Sequence, residues 1–505
     1  EPSSYVKSKT KKKWWLFGLL GLIILTSALF AYRYLTPNNK QIESIAVLPF
    51  ENASGNADLD YLSDGMSESV IDRLSQLGQL KVIARSSSFR YRGQNLDLKE
   101  IANSLGVQAI VTGRVVPRGD SYQIRVELIV VRENKQLWGE NFTRKISDVQ
   151  LLQTDISREI AENLRFRLSG TQTQQLAGQG TTNPQAYELR LKGRYYFYKT
   201  GTENYHKAVE YYEQAIALDP NYALAYAELA DAYAFGGGRG LTRDERRAKV
   251  ESAARKALEL NANLAEAHFA MAQWKIDNWE WTEGERESKR AIELNPNLAK
   301  AYSGYARYLS LMGRHDEAIA AAKRGLELSP LTLINNWIVG DTYTRARQID
   351  KAIEAYKNLV ELDKNASVGH WKLGDGYAAK GMYSEAINEY HEAIRLRGSG
   401  DLIFIGVTDI EAVLGAAYAV SGERAKAEEI LQKLKDKSRN EIAPRSLAIL
   451  YAALGMRDEA FAQLEKAFAE HSSNLPFIAV EPIYDNLRDD PRFADLLRRM
   501  NLPIR

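Results

Sequence analysis

The 505-residue sequence contains no cysteine. Disulfides, Cys-ligated zinc, iron–sulfur clusters and a thiol nucleophile are therefore excluded together. Histidine is scarce: His206, His268, His315, His370, His391 and His471 form no i, i+4 pair of the kind a helical metal site uses. There is no Gly-x-x-x-x-Gly-Lys, no Gly-x-Gly-x-x-Gly after a strand, no Gly-x-Ser-x-Gly and no kinase motif. No enzyme is expected within the chain, and no catalytic, cofactor-binding or metal-ligating residue can be named. Neither charge sign dominates. Sixty-seven Lys and Arg face 65 Asp and Glu, a net charge of +2, which gives no reason to expect a nucleic-acid partner. A mean hydropathy of −0.38 with 26% charged residues excludes a polytopic membrane protein and a largely disordered chain. At roughly 150 residues per domain, the length suggests about three folding units.

Long apolar runs are absent with one exception. Residues 14–32 carry no charge over 19 positions, flanked by Trp14, Trp15, Tyr32 and Tyr34. At about 1.5 Å per residue they would span about 28 Å, enough for a hydrocarbon core. Lys7, Lys9, Lys11, Lys12 and Lys13 precede the run, and only Arg33 and Lys40 follow it closely. The pattern predicts a transmembrane helix over 14–35, with a basic cytoplasmic stub at 1–13 and residues 36–505 outside the inner membrane of a bacterium.

From 41 to 168, short apolar runs alternate with helical spacing. Strands are expected at 44–50, 81–84, 109–116, 122–131 and 136–143, and helices at 62–77, 98–105 and 149–168. Residues 117–120 read as a hairpin turn. Ser63 or Asp64 is a candidate cap, and Asp58, Asp60, Asp64 and Glu68 read as capping or solvated carboxylates rather than metal ligands. Trp138 is a core candidate.

Residues 169–183 are polar and Gly-rich, hence a linker. From 184 to 470 a 34-residue period governs the sequence. Ala318, Ala352 and Ala386 obey it, as do Pro296 and Pro330, and Ala291, Gly325, Leu359 and Ala393. About eight helix pairs are expected, starting near 184, 223, 265, 299, 333, 367, 408 and 441, with a glycine-rich insertion at 236–240. Residues 471–505 read as a closing helical region that covers the last apolar face.

Two stretches resemble known families. SIAVLPFENASGNADLDYLSDGMSESVIDRLSQL, VIARSSSFRYRG, LGVQAIVTGRV and LWGENFTRK resemble the TolB-like (FlgO-type) amino-terminal domain, whose recurring positions are held here by Asp64, Gly65, Ser86, Phe89, Gly106, Gly113 and Trp138. The 34-residue block around Leu373, Gly374, Tyr377, Gly381, Ala386 and Tyr390 is similar to the tetratricopeptide repeat. Together they imply one transmembrane helix, a small α/β domain and an all-α tetratricopeptide superhelix. The repeat family's groove positions correspond here to Glu266, Phe269, Gln273, Lys300, Arg307, Trp337, Asp341, Arg345, Trp371 and Asp375. Aromatic anchors beside charges of both signs suit a peptide or protein ligand, and self-association is a further expectation. The family's carboxylate clamp also needs Asn residues, which are missing here. His268 and His370 fall where a packed aromatic is usual. The arrangement is closest to the C-terminal region of receptor-type serine/threonine kinases, with the kinase before Glu1. The equivalent region of a CadC-type transcription activator or of a nucleotide cyclase, and a plain envelope scaffold, are the alternatives.

Overall fold

The computed structural model describes Thr26 and residues 42–94, 97–119, 121–145, 148–164, 180–199, 201–397, 410–436 and 443–503. Residues Glu1–Ile42 and Glu43–Arg505 form separate units, and the second holds the sheet and the paired helices. The basic stub expected at 1–13, residues 169–179 of the linker expected at 169–183, and the expected repeat starts at 408 and 441 lie outside the described residues.

The transmembrane helix expected over 14–35 is corrected, and with it the single-pass fold and the inner-membrane location. Among the described residues, no helix is long and apolar enough to cross a membrane, and residues 14–35, Thr26 apart, lie outside them. The longest described helix, Arg243–Leu260, has 18 residues and carries charged side chains throughout, which a hydrocarbon layer would have to desolvate.

The α/β module is a sheet of strands β1 (Ser44–Val47), β2 (Glu51–Asn52), β3 (Lys81–Val82), β4 (Ala109–Arg118), β5 (Ser121–Val130) and β6 (Lys135–Lys145). Its order is β3-β1-β4-β5-β6, with β2 also paired to β4. The short apolar strand β1 lies parallel between β3 and β4 and is fully buried, whereas β4, β5 and β6 form an antiparallel meander. Helices α1 (Asp60–Ser75) and α4 (Val149–Asn163) lie side by side, while α3 (Leu98–Leu105) ends on Gly106 in the left-handed conformation; α2 is the single turn Arg85–Ser88. Leu62, Met66, Val70 and Leu74 form the apolar stripe of α1 and are at most 2% exposed. Because α1 starts at Asp60, with no side-chain cap at Leu59, Ser63 and Asp64 sit inside the helix and do not cap it. Trp138 is half-buried on β6 against Phe142, at 6.3 Å between ring centroids, and is not a core residue.

The remaining helices pair in sequence: α5 (Pro184–Tyr198) with α6 (Thr202–Leu218), α7 (Ala223–Ala234) with α8 (Arg243–Leu260), and α9 (Ala265–Asp277) with α10 (Trp281–Leu294). Then α11 (Ala299–Leu311) pairs with α12 (His315–Leu328), and α13 (Leu333–Arg345) with α14 (Ile349–Leu362). The last pairs are α15 (Ser367–Ala379) with α16 (Tyr383–Leu396), α17 (Ile410–Val420) with α18 (Arg424–Asp436), and α19 (Pro444–Ala453) with α20 (Arg457–Ala469). Ala318, Ala352 and Ala386 are completely buried where paired helices cross. Small residues there let the backbones approach. At Gly340 an added Cβ would lie 2.2 Å from the Tyr356 ring, and at Gly374, one period on, 2.6 Å from that of Tyr390.

The module does not stand apart from the solenoid. A Cβ on Gly65 of α1 would meet Leu191 of α5 at 2.6 Å, so a larger residue here would have to push that side chain aside. Farther along, the Asn297 side chain donates to the carbonyls of Ser75 and Leu80 (2.9 and 2.8 Å) and accepts from the Val82 amide (3.2 Å). Ala84 N–H donates to the Leu328 carbonyl, and Ser86 and Ser329 share a hydroxyl bond of 2.7 Å. The chain end also folds inward. After α20, two 3₁₀ turns (Leu475–Ala479 and Pro482–Leu487) return towards the third to fifth repeats before α21 (Pro491–Arg499). Its residues share one apolar cluster with Trp281, Leu309 and Leu311, so this region does more than cap the last repeat.

Candidate functional site

Module, repeats and chain end enclose a cavity of about 1280 Å³. Its wall comes from α1 and β3, from the first helices of successive pairs, and from residues 473–486. Glu266, Phe269, Gln273, Lys300, Arg307, Trp337, Asp341, Arg345, Trp371 and Asp375 all face this one space.

They fall into two groups. In the first, Lys300 of α11 forms an ion pair with Asp231 of α7, and its Nζ sits 4.7 Å from the Phe269 ring centroid. Burial raises the Glu266 carboxyl above the usual range, and the charge of Asp72 adds to this. Gln273 lies against Gly304, where a Cβ would come within 2.5 Å of its Nε2.

The second group repeats one arrangement. Trp337, Asp341 and Tyr356 recur 34 residues later as Trp371, Asp375 and Tyr390, and each tyrosine donates to its aspartate, at 2.7 and 2.9 Å. Lys372 lies between them, 3.4 Å from Asp341 and 3.1 Å from Asp375, with Nζ 5.1 and 4.4 Å from the Trp337 and Trp371 centroids. Burial opposes ionisation of both aspartates. At Asp341 the nearby Lys372 and Arg345 outweigh it and hold the carboxyl below its usual value, whereas at Asp375 burial prevails and raises it. Arg345 also reaches Glu481 at 3.5 Å and covers the Phe477 ring at 4.2 Å. Arg307 approaches the same ring at 5.4 Å and, among the described residues, has no carboxylate in ion-pair range.

Three features of the site are not apparent from the sequence. The first is the wall formed by residues 473–486, where Glu481 also pairs with Arg445. The second is a buried charge network between module and repeats. Asp64 and Glu68, expected in solvated turns or caps, are only 1% and 2% exposed. Arg92 and Arg85 pair with them, and Arg194 of α5 donates to Glu68 (2.8 Å) and Asp72 (3.0 Å). Arg190, one turn before, grips Glu228 with two bonds of 2.9 and 2.8 Å. Burial, reinforced by Glu68, pushes the Asp64 carboxyl up to about 6 despite its arginines. The signal was the ladder Asp64, Glu68, Asp72 at i, i+4 and i+8, opposite Arg190 and Arg194 at the same spacing. The third is polar. His268 and His370 are paired through Nδ1 with Glu287 and Glu389, at 2.6 and 2.7 Å, rather than packed as apolar fillers. Among the described residues, no group of three His, Asp or Glu side chains could hold a metal ion.

Residues 40–161 match the family model of the HilA/YgeH-like transcriptional regulator, second domain. This match stands where the sequence strings suggested a TolB-like module. Residues 198–222, 288–320 and 336–365 match tetratricopeptide repeats, so the solenoid is a tetratricopeptide array, a non-catalytic fold associated with protein–protein interaction. Over 187 residues the chain is 32% identical to "Putative adenylate cyclase 3" of Rhizobium meliloti (strain 1021), a match spanning 37% of this chain and 32% of that relative. Among solved structures, PilF of Pseudomonas aeruginosa is 19% identical, with a TM-score of 0.34, over 43% of this chain and 91% of that one. YrrB, described as a tetratricopeptide protein with an unusual peptide-binding site, is 20% identical, with a TM-score of 0.27, over 42% and 97%. The regulator domain and the cyclase relative support neither the TolB-like nor the kinase assignment.

Proposed function

We propose that this chain is the non-catalytic interaction region of a larger signalling protein, and that its cavity takes an extended acidic peptide segment of a partner. The likeness to a transcriptional-regulator domain and to a cyclase relative supports an output domain elsewhere in such a protein. The observation that carries the ligand chemistry is the lining. Thirteen Lys or Arg side chains face the cavity against nine Asp or Glu, although the whole chain is close to neutral. Most of these charges are paired across the wall; among the described residues Arg307 has no carboxylate in ion-pair range, although the charge of Asp277 acts on it, and it lies beside the Phe477 ring. A guanidinium free to fork onto a carboxylate, with Trp337 and Trp371 nearby as anchors, favours an anionic segment with apolar residues. The volume fits a short stretch of chain better than a folded domain.

Fluorescence anisotropy with a fluorescein-labelled ten-residue polyglutamate peptide tests this, with polylysine of the same length as the control. The glutamate peptide should bind, weaken as salt rises, and lose about tenfold or more in affinity with Arg307→Glu at unchanged helicity. Equal binding of polylysine, or no effect of Arg307→Glu, would remove the proposal.

A further inference from the structure

In the fourth, sixth, seventh and eighth repeats, the turn between the two helices places glycine in the left-handed region: Gly313, Gly381, Gly422 and Gly455, at φ from +62° to +93°. At the same point of the 34-residue period, the third and fifth repeats hold Trp279 (φ +62°) and Arg347 (φ +60°). A Cβ is unfavourable in that conformation, and glycine demonstrably serves in the sister turns. Backbone strain kept where a cheaper residue would fit points to a use for the side chain.

Both side chains reach the returning chain end. The Trp279 ring stacks on His471, 3.8 Å between centroids and 23° between planes, and also touches Phe468. His471 is itself left-handed, at φ +49°. Arg347 makes a forked bond to Asp485, at 2.8 and 2.7 Å. Arg247 adds a bond of 3.1 Å to the His471 carbonyl. In a solenoid each repeat ordinarily touches only its neighbours, so contacts that skip several repeats close the superhelix on itself. Of these residues Arg247, Arg347 and Asp485 line the cavity, and Trp279 follows Asn278, which also lines it.

We infer that Trp279–His471 and Arg347–Asp485 form a two-point latch that holds the 474–487 segment across the cavity and releases it to admit the ligand. This rests on the cavity being the peptide site. The polar half of the latch is the weaker one. Arg347 and Asp485 are each nearly half exposed, so their pairing is weak and salt-sensitive. The left-handed turns belong to the repeat and persist in either state, while burial of Phe477 and Tyr484 favours the closed one.

The test is the double variant Trp279→Gly/Arg347→Gly of the full chain, since glycine is the residue the sister turns already use. Asp485→Asn, which alters no turn, is the second variant. Hydrogen exchange over 471–487 should accelerate by about tenfold or more in the double variant, with the amides of α13 and α14 unchanged, and by less in Asp485→Asn. The polyglutamate probe should associate faster, by about tenfold, in the double variant. Unchanged exchange over 471–487 in both variants overturns the latch. Faster exchange with no probe binding to either protein overturns the peptide reading and the gating role with it, leaving a structural seam alone.

Discussion

The indole N–H of Trp281 donates to the carbonyl of Met500 across 2.8 Å, tying the third repeat to the residue that follows the last helix. Trp281 is 8% exposed and shares an apolar cluster with Tyr484, Leu496 and Leu497. Replacing it with phenylalanine keeps most of the apolar contact but leaves the Met500 carbonyl without this donor. A buried acceptor left unmade costs about 1–3 kcal/mol. Trp281→Phe should lower the urea midpoint accordingly at an unchanged slope, and Trp281→Ala should cost more, through the cavity it leaves. Equal midpoints for wild type and Trp281→Phe would show that the bond contributes nothing.

Arg194 is the centre of the charge network between module and solenoid. Its guanidinium serves Glu68 and Asp72 of α1 and stands 3.5 Å from Glu228 of α7. Arg194→Met would leave Glu68, only 2% exposed, facing its neighbours with one cation fewer. Removing one partner of a buried ion pair costs about 3–5 kcal/mol. Denaturant unfolding should register this loss, and limited proteolysis should find new cleavage between module and repeats. A loss under about 1 kcal/mol would mean that Arg85 compensates.

Gly340 and Gly374 are two copies of one constraint. An added methyl at either would overlap the ring of a tyrosine that is only 1% exposed and hydrogen-bonded to an aspartate facing the cavity. Neither Tyr356 nor Tyr390 can move without breaking that bond. Overpacking of this kind costs about 1–3 kcal/mol. Gly340→Ala should therefore destabilise, although alanine is the better helix former, and Gly374→Ala should do so by a similar amount. Thermal unfolding of the two variants checks this, and a stabilised Gly340→Ala would refute the crowding.

The repeats were legible because their constraint is local and periodic. Ala318, Ala352 and Ala386 are small since two helices cross there, and a spacing of 34 needs no knowledge of the rest of the fold. The groove positions came from the resemblance to the tetratricopeptide repeat, laid on that register. What stayed hidden depends on contacts far apart in sequence. Glu68 looks like a surface carboxylate until Arg194, more than 120 residues on, is known to face it. Phe477 and Glu481 look like part of a cap, and only the return of the chain end places them against Arg345. Trp138 misled in the opposite direction, because a large aromatic on an edge strand can stay half-covered. The apolar run at 14–32 satisfies a hydropathy rule, but that rule reads composition alone.

Asp64 gives the module a pH dependence of its own. Burial and the adjacent Glu68 raise its carboxyl to about 6, whereas in the unfolded chain it titrates near 3.8. Between these values the folded state holds a proton that the unfolded state has released. The stabilisation is therefore complete below about pH 4 and is lost as pH rises through 6. Two pKa units correspond to about 3 kcal/mol. Other carboxylates titrate over the same range, so the informative quantity is the difference between wild type and Asp64→Asn, which mimics the protonated side chain and cannot ionise. Urea unfolding of both proteins at pH 4, 5, 6 and 7 should give similar stabilities at pH 4. Wild type should fall progressively below Asp64→Asn towards pH 7, by about 2–3 kcal/mol. If the two curves stay parallel across this range, Asp64 is ionised throughout, and Arg92 and Arg85 prevail over burial at this site.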